Sequence, residues 1–264
     1  MLEVGPAAWL YPAMTQNTTA RRTIALVTGA NRGIGREIAA QLAGLGMTVL
    51  LAARDPAHGE EAAAALRSGG ADVQALPLDV TDQATVTAAA KQIDGEYGRL
   101  DVLVNNAGIA GDPGGQLPRE ADLDTVRAVF ETNVVGVIGV TTAMLPLLLR
   151  SAAGRIVNVT SGMGSLTLMA DQAGPFAGRP ASVAYVPSKT ALNALTVQYA
   201  KELRPHGVLV NAADPGPCAT DFDAATPGFT RTAAQGAAIA VRLATLDAGG
   251  PTGGCFGERG PIPW

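Results

Sequence analysis

Residues Thr23–Thr28 (TIALVT) form a near-continuous apolar run that leads straight into Gly29-Ala30-Asn31-Arg32-Gly33-Ile34-Gly35. Beyond it Ile34, Ile38, Leu42 and Leu45 recur at helical spacing, and Gly46 supplies a stop. A strand without polar alternation is buried on both faces, so the helix that follows has to cover one of them. This succession of strand, glycine turn and helix restricts the chain to folds with a helix-covered parallel sheet. The same rhythm continues. Thr48–Ala53, Val73–Leu78, Asp101–Asn105, Arg155–Thr160 and Val208–Asn211 read as further strands, and Gly254–Gly257 as a weak seventh. Between them, Glu60–Arg67, a segment capped by Thr81 or Asp82 and running to about Tyr97, one or two helices over 123–149, and Val183–Leu203 read as helical. The expected fold is α/β, a doubly wound parallel sheet of about seven strands flanked by helices, with right-handed connections. Nothing marks a second domain within 21–264. Segments 162–182 and 216–232 are rich in Gly, Pro and Ala and follow strand ends, where open α/β sheets bind ligands.

Several residues in this frame carry chemistry. Gly29, Gly33 and Gly35 lie where a backbone must turn tightly and approach a phosphate, with helix N–H groups behind it. Tyr185 and Lys189 stand four residues apart, which places a phenol and an ammonium on one helical face. A phenol with pKa near 10 is a poor acid–base group at neutral pH unless a nearby positive charge stabilises its anion. Ser161 ends the fifth strand, and Thr160 should project to the opposite face.

The ordered set resembles the short-chain dehydrogenase/reductase family, from about Thr23 to the end of the chain. It comprises Thr28–Gly35, Asn105-Asn106-Ala107-Gly108, Asn133, Ser161 and Tyr185-Val186-Pro187-Ser188-Lys189. Leu51–Asp55 and the terminal Gly260-Pro261-Ile262-Pro263-Trp264 look most similar to its carbonyl-reductase-like branch. The resemblance implies a Rossmann-type domain. It also implies a catalytic set of Asn133, Ser161, Tyr185 and Lys189, with Asn133 anchoring a water in a proton relay. Cofactor contacts are implied for Gly29, Asn31, Arg32, Gly33, Ile34 and Gly35 in the turn, and for Asp79 and Val80 beside the adenine. They are implied also for Asn106, Ala107 and Gly108, at a strand end across which the cofactor can lie. Tyr185, Lys189, Pro215, Gly216 and Thr220 complete the set toward the nicotinamide end.

At the end of the second strand, NAD-using relatives commonly carry an acid; this chain has Ala53 there, followed by Arg54. Arg54 and Arg32 therefore favour NADP(H), since two guanidiniums and no acid suit a 2′-phosphate. The expected reaction is NADPH-dependent reduction of a ketone or aldehyde. The competing readings are an NAD-dependent secondary-alcohol dehydrogenase and a catalytically silent NADPH-binding sensor or scaffold. Met163, Leu166, Leu168, Met169 and Phe176 either wall a substrate pocket or pack their loop onto the body.

Composition sets the partners. Apolar residues make up 47% and charged ones 16%, and the formal charge of −4 gives no case for nucleic acid or an anionic membrane. No uninterrupted apolar stretch reaches membrane-spanning length. Cys218 and Cys255 lack a metal-ligand pattern and read as two buried thiols, with a disulfide as the alternative, so no metal and a cytoplasmic setting are expected. His58 and His206 read as surface or packing residues. Residues 1–20 read as a flexible N-terminal extension, with Met14 resembling an alternative start. A homo-oligomer is compatible with the sequence.

Overall fold

The computed structural model describes residues 22–112, 116–220, 222 and 230–264; the proposed N-terminal extension lies outside them. Eight strands form one sheet: β1 (Ile24–Val27), β2 (Thr48–Ala53), β3 (Val73–Pro77), β4 (Val102–Asn105), β5 (Arg155–Val159), β6 (Leu209–Ala213), β7 (Cys255–Gly257) and β8 (Gly260–Ile262). Their order is β3-β2-β1-β4-β5-β6-β7-β8, with every neighbouring pair parallel except β7 and β8. The expected doubly wound parallel sheet forms, and the antiparallel β8 extends it. Its Pro261 is tolerated because an edge strand has no neighbour awaiting that N–H.

Alternation along the strands builds two cores. Ala25 and Val27 of β1 face one side with Val49 and Leu51 of β2, while Ile24, Leu26 and Leu50 face the other. The first layer is covered by α1 (Gly33–Gly44) and α2 (Pro56–Ser68), with α8 (Ala233–Ala244) beside them. The second is covered by α3 (Gln83–Tyr97), α5 (Gly136–Leu148) and α7 (Tyr185–Leu203). Two shorter helices, α4 (Leu123–Phe130) and α6 (Leu166–Ala170), lie in the connections.

Caps settle several boundaries. Asp55 accepts from the Ala57 and His58 N–H groups, with Pro56 in the first turn, so α2 starts before the expected Glu60. Asp82, not Thr81, caps α3. A Thr232–Gln235 capping box opens α8, a helix for which sequence periodicity gives no expectation. Its small residues Gly236, Ala237 and Ala240 are buried.

The expected helices over 123–149 are α4 and α5, joined by a π-type turn at Glu131–Val135. Leu123–Leu148 is long and apolar enough to cross a membrane by length and composition, although Asp124, Arg127 and Glu131 interrupt its apolar run. Its buried stripe, which includes Val129, Val137, Val140, Met144 and Leu147, faces the protein interior instead.

β1 pairs with both β2 and β4, so chain direction across the sheet reverses there. The crevice beyond their carboxyl ends is where an open α/β sheet accommodates a ligand.

Candidate active site

The glycine turn packs directly on the end of β4. Gly29 and Gly33 have φ of 61° and 56°, a region that favours glycine. A Cβ on Gly29 would sit 2.8 Å from the Ala107 Cα, and one on Gly35 would collide with the Asn106 side chain and stand 2.5 Å from the Gly29 carbonyl oxygen. Asn106 braces this contact: its side-chain amide donates to the Thr28 and Gly29 carbonyls at 2.9 and 3.0 Å. The Thr28 hydroxyl accepts from the Asn106 and Ala107 N–H groups at 3.0 and 3.1 Å. Asn106 thus holds the turn, while Ala107 contributes smallness beside it. No side chain caps α1, whose first residues Gly33, Ile34 and Gly35 line the cleft.

A cleft of roughly 1480 Å³ runs across the carboxyl edge of the sheet. One end is rimmed by the exposed Arg32 and Arg54, with Asn31 and Ile34 nearby. The Asp55 carboxylate is committed to the start of α2, where the His58 and Ala57 N–H groups hold it below the usual carboxylate range. It leaves Arg54 without an ion pair among the described residues. Asp79 and Val80 line the same end. One Asp79 oxygen accepts from the Thr81 N–H and hydroxyl at 2.9 and 2.8 Å, forming the turn into α3. His58, which the sequence places outside the site, also lies on this rim, 3.4 Å from Asp55. Its position on the exposed first turn of α2 is the signal that identifies it.

At the other end, Tyr185 begins α7, and the Lys189 Nζ lies 5.7 Å from the centre of its ring. Lys189 is buried and donates to the Val159 carbonyl at 2.9 Å. Burial lowers its pKa to about 8, and Asp214 opposes the shift. Ser161 opens onto the cleft and accepts from the Met163 N–H at 3.2 Å, whereas Thr160 turns inward and donates to Asn193 Oδ1 at 2.7 Å. The alternation of the strand end separates the two hydroxyls as expected.

Asn133, fully buried, sits in the π-type turn. Its Nδ2 donates to the Ile109 carbonyl and the Ser188 hydroxyl, both at 3.0 Å, and its Oδ1 accepts from the Ile109 N–H at 2.9 Å. Both amide hydrogens are committed, which leaves one lone pair of Oδ1. A Cβ on Gly108 would lie 3.2 Å from that oxygen and 3.6 Å from Lys189 Nζ, so glycine keeps this point open.

The segment after β6 closes over both ends. Gly216, with φ of 67°, donates its N–H to Asp214 at 2.9 Å beside Pro215. Thr220 faces the glycine turn, since a Cβ on Gly33 would be 3.8 Å from its methyl. The Phe222 ring lies 5.9 Å from that of Tyr185, tilted by 57°. Of the apolar residues in 162–182, Met163 and Phe176 line the cleft; Leu166 is 65% exposed, and Leu168 and Met169 lie outside the lining. Two of the five residues thus wall the cleft. Cys218 and Cys255 are buried free thiols, and among the described residues no cluster of His, Cys, Asp or Glu suits a metal.

Lys189 gives a pH-dependent prediction for the protein without ligand. Its displacement from the ordinary value of 10.5 to about 8 sets roughly 3 kcal/mol against the folded state at neutral pH. The unfolded chain binds the proton more tightly, so stability rises with pH between about 8 and 10.5. Lys189→Met removes the buried charge and forfeits one hydrogen bond of about 1 kcal/mol. It is expected to raise the Tm at pH 7, with the advantage shrinking toward pH 10. Thermal melts of both proteins across that range check it; a lower Tm for the variant at pH 7 refutes it.

Residues 23–228 match the family model described as short chain dehydrogenase. The chain is 37% identical over 231 residues to the short-chain dehydrogenase anuI of Penicillium roqueforti, covering 85% of this chain and 89% of that protein. It is 36% identical over 199 residues to the 3-oxoacyl-[acyl-carrier-protein] reductase FabG of Staphylococcus aureus, covering 75% of each. Among solved structures it is similar to the NADPH-bound carbonyl reductase from chicken fatty liver, with a TM-score of 0.80 and 28% identity, covering 92% of this chain and 99% of that one.

Proposed function

The chain belongs to the short-chain dehydrogenase/reductase family, and we propose on that premise that it reduces a ketone or aldehyde to an alcohol with NADPH. The observation that carries this reading is the convergence of Ser161, Tyr185 and the buried Lys189 at the end of the cleft opposite Arg32 and Arg54. The cofactor is NADP(H). Gly29 and Gly35 let the turn pack against Ala107 and Asn106 and so hold the α1 N-terminus at the cleft, where it suits a pyrophosphate, and Arg32 and Arg54 suit a 2′-phosphate. The NADPH-bound relative supports the same choice. Asn31, Ile34, Asp79, Val80, Ala107, Gly108, Pro215, Gly216 and Thr220 complete the cradle; Asn106 acts by bracing the turn.

When bound, NADPH supplies the hydride. The Ser161 and Tyr185 hydroxyls hold the carbonyl oxygen, and the Tyr185 phenol donates its proton as charge develops there. Lys189, close to the ring, stabilises the resulting phenolate. Its lowered pKa keeps it charged at neutral pH yet near the range where it can exchange a proton. Asn133 holds the Ile109 backbone and Ser188 in place, and the remaining lone pair of Oδ1 is available to a relay water. Phe176, Phe222 and Met163 present an apolar wall to the substrate. Relatives named as reductases favour the reductive direction.

The test is a panel of ketones, aldehydes and quinones offered to the purified protein with NADPH or NADH. NADPH oxidation linked to alcohol formation is expected. A preference for NADH with oxidation of secondary alcohols would instead identify an NAD-dependent dehydrogenase. Tight NADPH binding without turnover of any substrate would identify a silent sensor or scaffold.

A further inference from the structure

We propose that Gln116 is a positioning residue for Tyr185, capping helix α7 from a distant loop and tying it to the segment after β4. The inference rests on Tyr185 being the proton donor. Helix α7 starts at Tyr185, and the residue before it, Ala184, offers no side-chain acceptor to the first N–H groups. Gln116 supplies the missing acceptor. Its Oε1 accepts from the Tyr185 N–H at 2.9 Å and the Ser182 hydroxyl at 2.7 Å. Ser182 Oγ in turn accepts from the Ala184 N–H at 3.3 Å, so two successive N–H groups at the helix start depend on one amide.

The other end of that amide is anchored as firmly. Gln116 Nε2 donates to the Ala110 carbonyl at 2.8 Å and the Asp112 carbonyl at 3.1 Å. The Gln116 main-chain carbonyl accepts from the Val183 N–H at 2.9 Å. The residue is 6% exposed, and its side chain uses two donors and accepts twice, which saturates an amide. At the opposite side of Tyr185, the Ser188 hydroxyl donates to the Tyr185 carbonyl at 2.6 Å and accepts from Asn133, which also grips Ile109. The Tyr185 backbone is therefore clamped at its N–H by Gln116 and at its carbonyl by Ser188, which Asn133 grips, and both amides are rooted in one short segment at Ile109, Ala110 and Asp112. A phenol that must reach one oxygen loses rate steeply when its backbone shifts, about a hundredfold per ångström.

Two variants test this. Gln116→Met keeps the volume and removes every polar contact; Gln116→Glu keeps the acceptor at a helix N-terminus that favours negative charge, and loses the donors. Gln116→Met is expected to speed amide exchange at residues 182–186 and to lower kcat tenfold or more. NADPH affinity should stay within twofold and overall Tm within a few degrees. Gln116→Glu should restore protection at 185 and recover kcat to within about threefold of wild type. In a Tyr185→Phe background, Gln116→Met should cost nothing further in kcat, because the group being positioned is gone. Wild-type kcat or unchanged exchange in Gln116→Met, a Glu variant no better than Met, or an undiminished loss in the Tyr185→Phe background would each overturn the proposal. If the wild type itself reduces no carbonyl, the proposed reaction fails, while exchange at 182–186 still decides whether Gln116 holds the helix.

Discussion

Tyr185→Phe is expected to lower kcat by at least a hundredfold while leaving NADPH affinity within a few-fold of wild type. General acid catalysis contributes about 10²–10⁴ in rate, and removing the phenol hydroxyl removes all of it without altering the ring. Phenylalanine keeps the tilted contact with Phe222 and the position of the ring near Lys189. The backbone clamps through Gln116 and Ser188 do not involve the hydroxyl, so the helix start is expected to survive. Steady-state kinetics with a good carbonyl substrate, together with NADPH titration by fluorescence, separate chemistry from binding. Near-full activity of the purified variant would show that another group donates the proton.

Arg54→Ala is expected to cost about tenfold in NADPH affinity and little in NADH affinity. Wild type should favour NADPH by about 10²-fold, since two charge-assisted contacts at an exposed rim are partly screened by water and salt. The geometry sharpens where an acid should be introduced. Ala53 is 2% exposed, and its side chain lies 3.1 Å from where a Cβ on Gly59 would stand, so an acid there would be placed in a packed strand–helix contact. Arg54 faces the cleft instead, and Arg54→Asp both removes a cation and adds a repelling charge. It should reduce the NADPH preference further than Arg54→Ala. Titration of both cofactors against the three proteins decides. Equal use of the two by wild type, or a loss in Arg54→Ala shared by both cofactors, would favour the NAD-dependent alternative.

Much of this protein is legible along the chain because its signals are local. The apolar run into Gly29, the cap at Thr81 or Asp82 and the four-residue spacing of Tyr185 and Lys189 are each read within a short window. Strand alternation also predicts, one residue at a time, that the Thr160 hydroxyl turns away from that of Ser161, inward to Asn193. Other features are not local. Nothing in the segment around Gln116 announces that its amide caps a helix beginning at Tyr185, and Asn133 alone reads as an ordinary helical amide. The place of His58 on the cleft rim takes both, a local helix start and the position to which β2 delivers α2.

The sequence by itself determined the alternation of strands and covering helices as far as α7, the glycine turn and the residue types available for chemistry, because backbone periodicity and φ preferences act over a few residues. Only the tertiary structure decided which of them meet. The return of the chain from β3 to β4 on the far side of β1 brings Ala107 against Gly29. The passage through α5 and β5 then sets Asn133 and Gln116 against the start of α7. Those contacts are hydrogen bonds between groups far apart in sequence, and their partners are fixed by how crossovers pack on a shared sheet rather than by any spacing along the chain.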